Sequence, residues 1–168
     1  MITKRLVSLA IAFMIALGAG VASAQTPSPP PPPPAYGAPI TLEQAKKVMA
    51  GAEAEAKKNN WGMAITILDA GGHAVMMQRL DGTQLGSIDV AKDKAWSAVA
   101  FRRPTKAFEE NLGKGFEFIY QMTLDGMIGS QGGVPLVVGG KLIGAIGCSG
   151  GTGPQDLQTC TAGLAALQ

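Results

Sequence analysis

The sequence predicts an α+β domain in which helices flank an antiparallel sheet, and three observations favour this fold class. Apolar residues recur at three- and four-residue spacing in 42–59 and in 87–105, as on the core-facing side of a helix. Two pairs of β-rich segments, 63–80 and 134–148, are each joined by a glycine-containing turn. Because helical patterns separate these hairpins, the arrangement indicates an antiparallel sheet rather than a doubly wound parallel one.

The first 24 residues have the pattern of a signal peptide. Lys4 and Arg5 precede the apolar run 6–21, and Ala22-Ser23-Ala24 supplies the small residues of a cleavage site. The apolar run is short for a membrane span, and no stop-transfer charges follow it. We therefore predict cleavage after Ala24 and a periplasmic or secreted protein.

Residues 25–39 contain the unbroken proline run Pro29–Pro34 and are predicted to form an extended linker that joins neither sheet nor helix. Residues 40–168 then have the length of a single domain. Since Lys4 and Arg5 account for the formal net charge of +2, the mature chain is neutral. This neutrality gives no reason to propose nucleic-acid binding.

The folded part opens with Thr41 and Gln44, which are spaced as a capping box before the helix 42–59. Strands are predicted at 63–69 and 73–80, on either side of Gly71-Gly72. Ser87 is a suitable N-cap for the central helix, in which alanines form most of the apolar face.

The central helix is expected to stop at Arg102, Arg103 and Pro104, because proline lacks the backbone N–H. A further helix from Pro104 to about residue 111 follows, and 116–124 is either a short helix or an irregular apolar segment. Segment 126–133 is predicted as a loop or a short edge strand. The chain closes with a hairpin, 134–138 and 141–148, and with a helix that has Pro154 in its first position.

Arg102 and Arg103 form the first candidate site. If a helix begins at Pro104, the two guanidinium groups lie beside the free amides of Thr105 and Lys106, an arrangement that suits a carboxylate or phosphate. The alternative is that both arginines are solvated or pair with the acidic residues 109 and 110.

His73 is the only imidazole, and Cys148 and Cys160 are the only cysteines. In an exported chain we predict that the cysteines form a disulfide between the last strand and the closing helix, the alternative being two buried thiols. These residues do not complete a structural zinc site, whereas haem asks only for one or two axial ligands and an apolar slot. Tyr120 and several methionines add candidate ligands; the alternatives are core packing for the methionines and a backbone hydrogen bond at a turn for His73.

Several short motifs together resemble the GlcG/HbpS family of small haem-binding domains, which also occur as the C-terminal domain of PduO-type cobalamin adenosyltransferases. They appear in the family's order over almost the whole of 42–167: ILDAGGH (67–73), RLDG (79–82), AxxKA (91–95), FRRPT (101–105), GGVP (132–135) and GAIGCSG (144–150). The resemblance implies a profilin-like α/β sandwich with a five-stranded antiparallel sheet flanked by helices. It also implies dimers that build larger rings, and haem as the cofactor.

On this basis we expect an exported, oligomeric, non-catalytic protein that stores, carries or senses haem against the alanine-rich face of the central helix. Arg102 and Arg103 would hold the propionates with help from Lys94 and Thr105, and His73 or Tyr120 would bind the iron. Three apolar side chains would flank the macrocycle: Trp96, Phe101 and Met122. The alternatives are an enzyme or enzyme accessory for a small carboxylated metabolite, with His73 or Lys94 as the base, and a purely structural oligomeric module.

Overall fold

The computed structural model describes residues 31–168. The predicted signal peptide, 1–24, and the first part of the predicted linker, 25–30, lie outside the described residues. The helices are α1 (Leu42–Lys58), α2 (Ser87–Ala100), α3 (Lys106–Leu112), a 3-10 helix (Phe116–Thr123) and α4 (Gly153–Ala165). The strands are β1 (Ala35–Tyr36), β2 (Ala64–Asp69), β3 (Ala74–Arg79), β4 (Gly133–Val138) and β5 (Lys141–Ser149).

The five strands form one sheet whose centre is β5. β5 pairs antiparallel with β4 and with β2, and β2 pairs antiparallel with β3. β1 pairs in parallel with the start of β5, at Lys141 and Leu142. The α+β class with flanking helices is confirmed, but the sheet is mixed and not purely antiparallel. The prediction that 25–39 joins no sheet is therefore wrong at Ala35–Tyr36.

The sheet lies between two helical layers. On one face, α1 and α4 cover the side chains of Ile65, Ile67 and Ile146, which belong to the larger of two apolar clusters. On the other face, α2 covers Leu68 and Ala145 in the smaller cluster. This division follows from strand geometry, because successive side chains of a strand point to opposite faces of the sheet.

Helix α2 packs almost directly on the backbone of β5. A Cβ atom at Gly147 would overlap the Ala91 carbonyl oxygen and the Ala95 backbone, so only glycine fits at this crossing. Ala91, Ala95 and Ala98 are fully buried in this contact. The expectation that haem lies against the alanine-rich face is therefore wrong, because β5 already occupies it.

The helix ends differ partly from the predictions. The capping box of Thr41 and Gln44 is present at α1, and Thr152 with Gln155 forms a second one at α4, where Pro154 is the second helical residue instead of the first. Ser87 is not the N-cap of α2, since it lies inside the helix and its hydroxyl accepts a hydrogen bond from the Gln84 amide at 3.0 Å. Between residues 31 and 168, no helix is both long and apolar enough to cross a membrane.

Candidate functional site

Arg102 lies at the end of α2 in a left-handed conformation, with φ of 54°. The amide of Arg103 donates to the Ala98 carbonyl at 3.3 Å, which is the bond of a Schellman helix end. Glycine normally occupies the left-handed position of this motif, so an arginine there has a conformational cost.

Strand β1 contacts the C-terminal end of α2 through Tyr36. The Tyr36 hydroxyl donates to the carbonyls of Val99 and Ala100, at 3.0 and 3.1 Å, which satisfies acceptors that the helix leaves free. The Arg102 guanidinium stacks 5.4 Å from the centre of the Tyr36 ring and donates to the Pro34 carbonyl at 3.3 Å. Residues of the predicted linker thus position Arg102. The sequence did not predict this role of Tyr36, because two residues that follow a proline run show no strand periodicity.

A cleft of about 320 Å³ opens beside Arg102, and we call it the Arg102 cleft. It is lined by Pro34, Arg102, Pro104, Val134, Pro135, Val137, Leu164 and Gln168. One guanidinium in an otherwise mostly apolar wall suits a molecule with a single carboxylate. None of the lining residues is a histidine, cysteine, methionine or tyrosine, so the cleft offers no side-chain ligand for haem iron.

Arg103 does not share these contacts. Its Nε donates to the Phe101 carbonyl at 3.2 Å, and its guanidinium stacks 5.7 Å from the centre of the Phe108 ring. Phe101 is in edge contact with both Phe108 and Trp96, at centroid distances of 5.3 and 6.0 Å. The two arginines therefore contact different groups and do not form one two-pronged clamp in the free protein.

Thr105 is fully buried, and its backbone amide and its hydroxyl both have hydrogen-bond partners within the protein. Its amide donates to the Gly133 carbonyl at 3.0 Å, and its hydroxyl accepts from the Gly133 amide at 2.9 Å. The prediction that the Thr105 amide is free for an anion is wrong. Thr105 instead joins the start of α3 to the start of β4.

Lys94 is also buried, with 2% of its surface exposed. Its ammonium group lies 2.7 Å from the Asp156 carboxylate and donates to the Cys148 carbonyl at 3.3 Å. Burial raises the pKa of the Asp156 carboxyl, while hydrogen bonds from Lys94 and from the Gly151 amide act in the opposite direction. Lys94 thus joins α2 to α4 and β5, and it faces protein rather than a ligand.

The neighbouring disulfide makes a second connection between the same elements. Cys148 on β5 and Cys160 on α4 are bonded, with their Cα atoms 5.8 Å apart, so the predicted disulfide is confirmed. Both residues are fully buried.

His73 lies in the turn between β2 and β3, with 84% of its side chain exposed. Its amide and that of Gly71 donate to the Asp69 carboxylate at 2.9 and 2.8 Å. Partial burial raises the pKa of Asp69, but these two hydrogen bonds outweigh it and leave the pKa below its usual value. Among the described residues, no three histidine, cysteine or acidic side chains form a metal site.

The 3-10 helix carries Tyr120 and Met122, with 57% and 69% of their surfaces exposed. It resolves the alternative left open for 116–124. Gln121 is its one buried residue, and Phe116 is 81% exposed. A cleft of about 400 Å³, the Met122 cleft, is lined by Leu112, Gly115, Phe116, Ile119 and Met122.

The structure therefore divides the predicted site. Trp96, Phe101 and Arg103 form one aromatic cluster, Arg102 lines its own cleft, and Met122 lines another with Tyr120 on the same 3-10 helix. His73 lines neither cleft, and Lys94 and Thr105 are structural.

Comparison with known proteins gives concordant results. The model of the family described as haem degrading protein HbpS-like matches residues 40–165. Protein GlcG of Escherichia coli K12 is 37% identical over 110 residues, which is 66% of this chain and 81% of GlcG. The crystal structure of the Klebsiella pneumoniae protein ORFY has a TM-score of 0.74 at 28% identity, covering 79% of this chain and 92% of that one.

A haem complex of PduOC also matches, with a TM-score of 0.71 at 26% identity, covering 76% of this chain and 94% of that one. The predicted resemblance is confirmed, and the chain belongs to the HbpS-like family, which also includes GlcG.

Proposed function

We propose that this protein binds haem and that the macrocycle lies in the Met122 cleft. The observation that carries the proposal is the set of large apolar side chains on the 3-10 helix that the described chain leaves uncovered. A contiguous patch of exposed apolar side chains is typical of a site that binds a ligand or another protein.

The residues present fit the group. Phe116, Ile119 and Met122 offer an apolar wall, and thioether and phenol groups are both known axial ligands of haem iron. Met122 lines the cleft, and Tyr120 is the second candidate ligand. When bound, haem would supply an iron centre that takes up electrons or oxygen ligands. Family membership and the haem complex of the related PduOC support the same ligand.

We further propose that the protein is exported and oligomeric, and that it stores, carries or senses haem without catalysing a reaction. The lining of the Met122 cleft consists of apolar side chains and one glycine, which suits binding of an apolar macrocycle. The predicted signal peptide supports export, and the uncovered apolar side chains of the 3-10 helix also suit contact with a second copy.

A second candidate function rests on the Arg102 cleft. One guanidinium at an apolar wall favours a small carboxylated metabolite. Such a metabolite contains no iron, so it does not require the axial side chain that this cleft lacks. Arg102 would hold the carboxylate. Neither His73 nor Lys94 lines this cleft, so neither has the position of a base for it.

Titration of the purified mature protein with hemin tests the proposal. We expect a Soret band that saturates with a Kd of about 1 µM or tighter. Absence of a saturable band, together with binding of small carboxylates that Arg102→Ala abolishes, would replace haem by the second candidate.

A further inference from the structure

A third cleft lies away from both candidate sites, where the C-terminal end of α1 meets the end of β3. We call it the Arg79 cleft; its volume is about 440 Å³. It is lined by Glu53, Lys57, Asn60, Trp61, Gly62, Gln78, Arg79, Leu80 and Asp81. Three of the four residues of the family motif 79–82 (Arg79, Leu80 and Asp81) therefore line a cleft to which neither haem binding nor carboxylate binding at Arg102 assigns a role.

Backbone contacts and turns shape the walls of the Arg79 cleft. Gly62 packs against the backbone of Gly82 and Thr83, at distances that leave little space for a side chain. Asn60 has φ of 57°, and the Thr83 hydroxyl donates to the Leu80 carbonyl at 2.6 Å. Two turns with defined geometry thus bring Trp61 next to the β3 end, and a cleft with fixed walls loses less entropy on binding.

The charges of the Arg79 cleft are of both signs. Glu53 pairs with Lys57, and hydrogen bonds from Lys57 and Gln78 lower the pKa of the Glu53 carboxyl. Arg79 and Asp81 are exposed, and neither side chain has a salt-bridge partner within residues 31–168. One cation and one anion, two residues apart, are therefore available to a ligand.

We propose that the Arg79 cleft binds a small zwitterion of the amino-acid class. Arg79 binds the carboxylate, Asp81 binds the ammonium group, and Trp61 and Leu80 contact the side chain of the ligand. A ligand with only negative charges, haem included, is disfavoured here because it would leave the Asp81 carboxylate, unpaired among the described residues, beside a second negative charge. This site is independent of the proposed haem function.

The experiment uses ¹⁵N-labelled protein and the twenty common amino acids as probes. The chain has two tryptophans, so its two indole signals are assigned with Trp96→Phe. We expect at least one amino acid to shift the Trp61 indole signal saturably and to leave the Trp96 signal in place. N-acetylation or amidation of that amino acid should weaken binding about tenfold, because each removes one charge-assisted hydrogen bond.

Arg79→Gln and Asp81→Asn should each weaken binding about tenfold, whereas Lys46→Gln, on an exposed part of α1 outside the cleft, should not change it. Calorimetry on the unmodified protein checks the affinity independently of the variants. A Trp61 signal that no amino acid shifts would overturn the proposal. Equal binding of the N-acetyl and amide derivatives, or saturable binding of neutral sugars in place of amino acids, would overturn it as well.

Discussion

Two regions of the molecule use polar and metal-binding side chains differently. One is the buried contact between α2 and α4, and the other is the exposed surface of the 3-10 helix. Lys94 on α2 is buried against Asp156 on α4, and the disulfide lies beside them. Met122 and Tyr120 on the 3-10 helix are mostly exposed, among apolar side chains that the described chain leaves uncovered. A reactive side chain that is fully paired inside the protein serves the fold, whereas an exposed apolar group with metal-ligand chemistry is available for binding.

The largest expected effect concerns the buried pair. Lys94→Met should lower the free energy of unfolding by about 3–5 kcal/mol, because it leaves the Asp156 carboxylate buried without a cation to balance its charge. Urea denaturation measures the loss, with Lys92→Met, an exposed lysine of the same helix, as the control. The variant Lys94→Met with Asp156→Leu should recover much of the loss. A loss below about 1 kcal/mol for Lys94→Met alone would show that the pair does not stabilise the contact.

Removal of the disulfide should have the next largest effect. Replacing Cys148 and Cys160 by alanine should lower the free energy of unfolding by about 2–4 kcal/mol, since the bond restricts the unfolded chain. Reduction of the wild-type protein should produce a similar loss and have no effect on the double variant. Labelling of two free thiols in unfolded, unreduced protein would contradict the bond.

Substitution of the two arginines distinguishes ligand binding in the Arg102 cleft from ligand binding in the Met122 cleft. That the arginines hold haem propionates stays a prediction from the sequence, and the structure places Arg102 and Met122 in different clefts. We expect Arg102→Ala with Arg103→Ala to leave hemin affinity within about twofold and to abolish any binding of small carboxylates. A tenfold loss of hemin affinity in a variant that remains folded by circular dichroism would return the propionates to the arginines.

The smallest effect concerns the turn that carries His73. Because the pKa of Asp69 is lower in the folded state than its ordinary value of 3.8, its ionised form stabilises the protein above that pH. This contribution is lost as the pH falls through the folded-state pKa. Asp69→Asn should lower the free energy of unfolding by less than about 1 kcal/mol at pH 7, since the group is near the surface. The difference from wild type should shrink as the pH falls through the folded-state pKa of Asp69, and a difference that does not change with pH would contradict this origin.

Sequence patterns predicted most helices and strands because, in these elements, capping residues, turn residues and apolar periodicity favour the same structure as the tertiary packing. Thr41 and Gln44 mark the start of α1, and the glycine turns mark both hairpins. Strand β1 was not predictable in this way, because two residues after a proline run have no periodicity. Its pairing depends on Tyr36 reaching the end of α2, which is a tertiary contact.

The candidate site was predicted less well, and burial explains why. Lys94 and Thr105 have the side chains of a binding site, but their partners, Asp156 and Gly133, are distant in sequence. The alanine face of α2 was identified correctly as apolar, yet its occupant is β5 and not a ligand. Met122 and Tyr120 were identified from side-chain chemistry, and only the structure shows that they share the exposed 3-10 helix.

Hemin titration of matched methionine variants tests the central claim most directly. Met77 on β3 is 58% exposed and lies outside the Met122 cleft, so Met77→Ala is the control for Met122→Ala. We expect Met122→Ala to weaken hemin binding about tenfold or more, with a shifted Soret maximum if its sulfur ligates the iron, and Met77→Ala to match the wild type. Tyr120→Phe, in the same titration, identifies the ligand if Met122→Ala only weakens binding without shifting the band. Unchanged hemin affinity and spectrum in both Met122→Ala and Tyr120→Phe would contradict the placement of haem at the 3-10 helix.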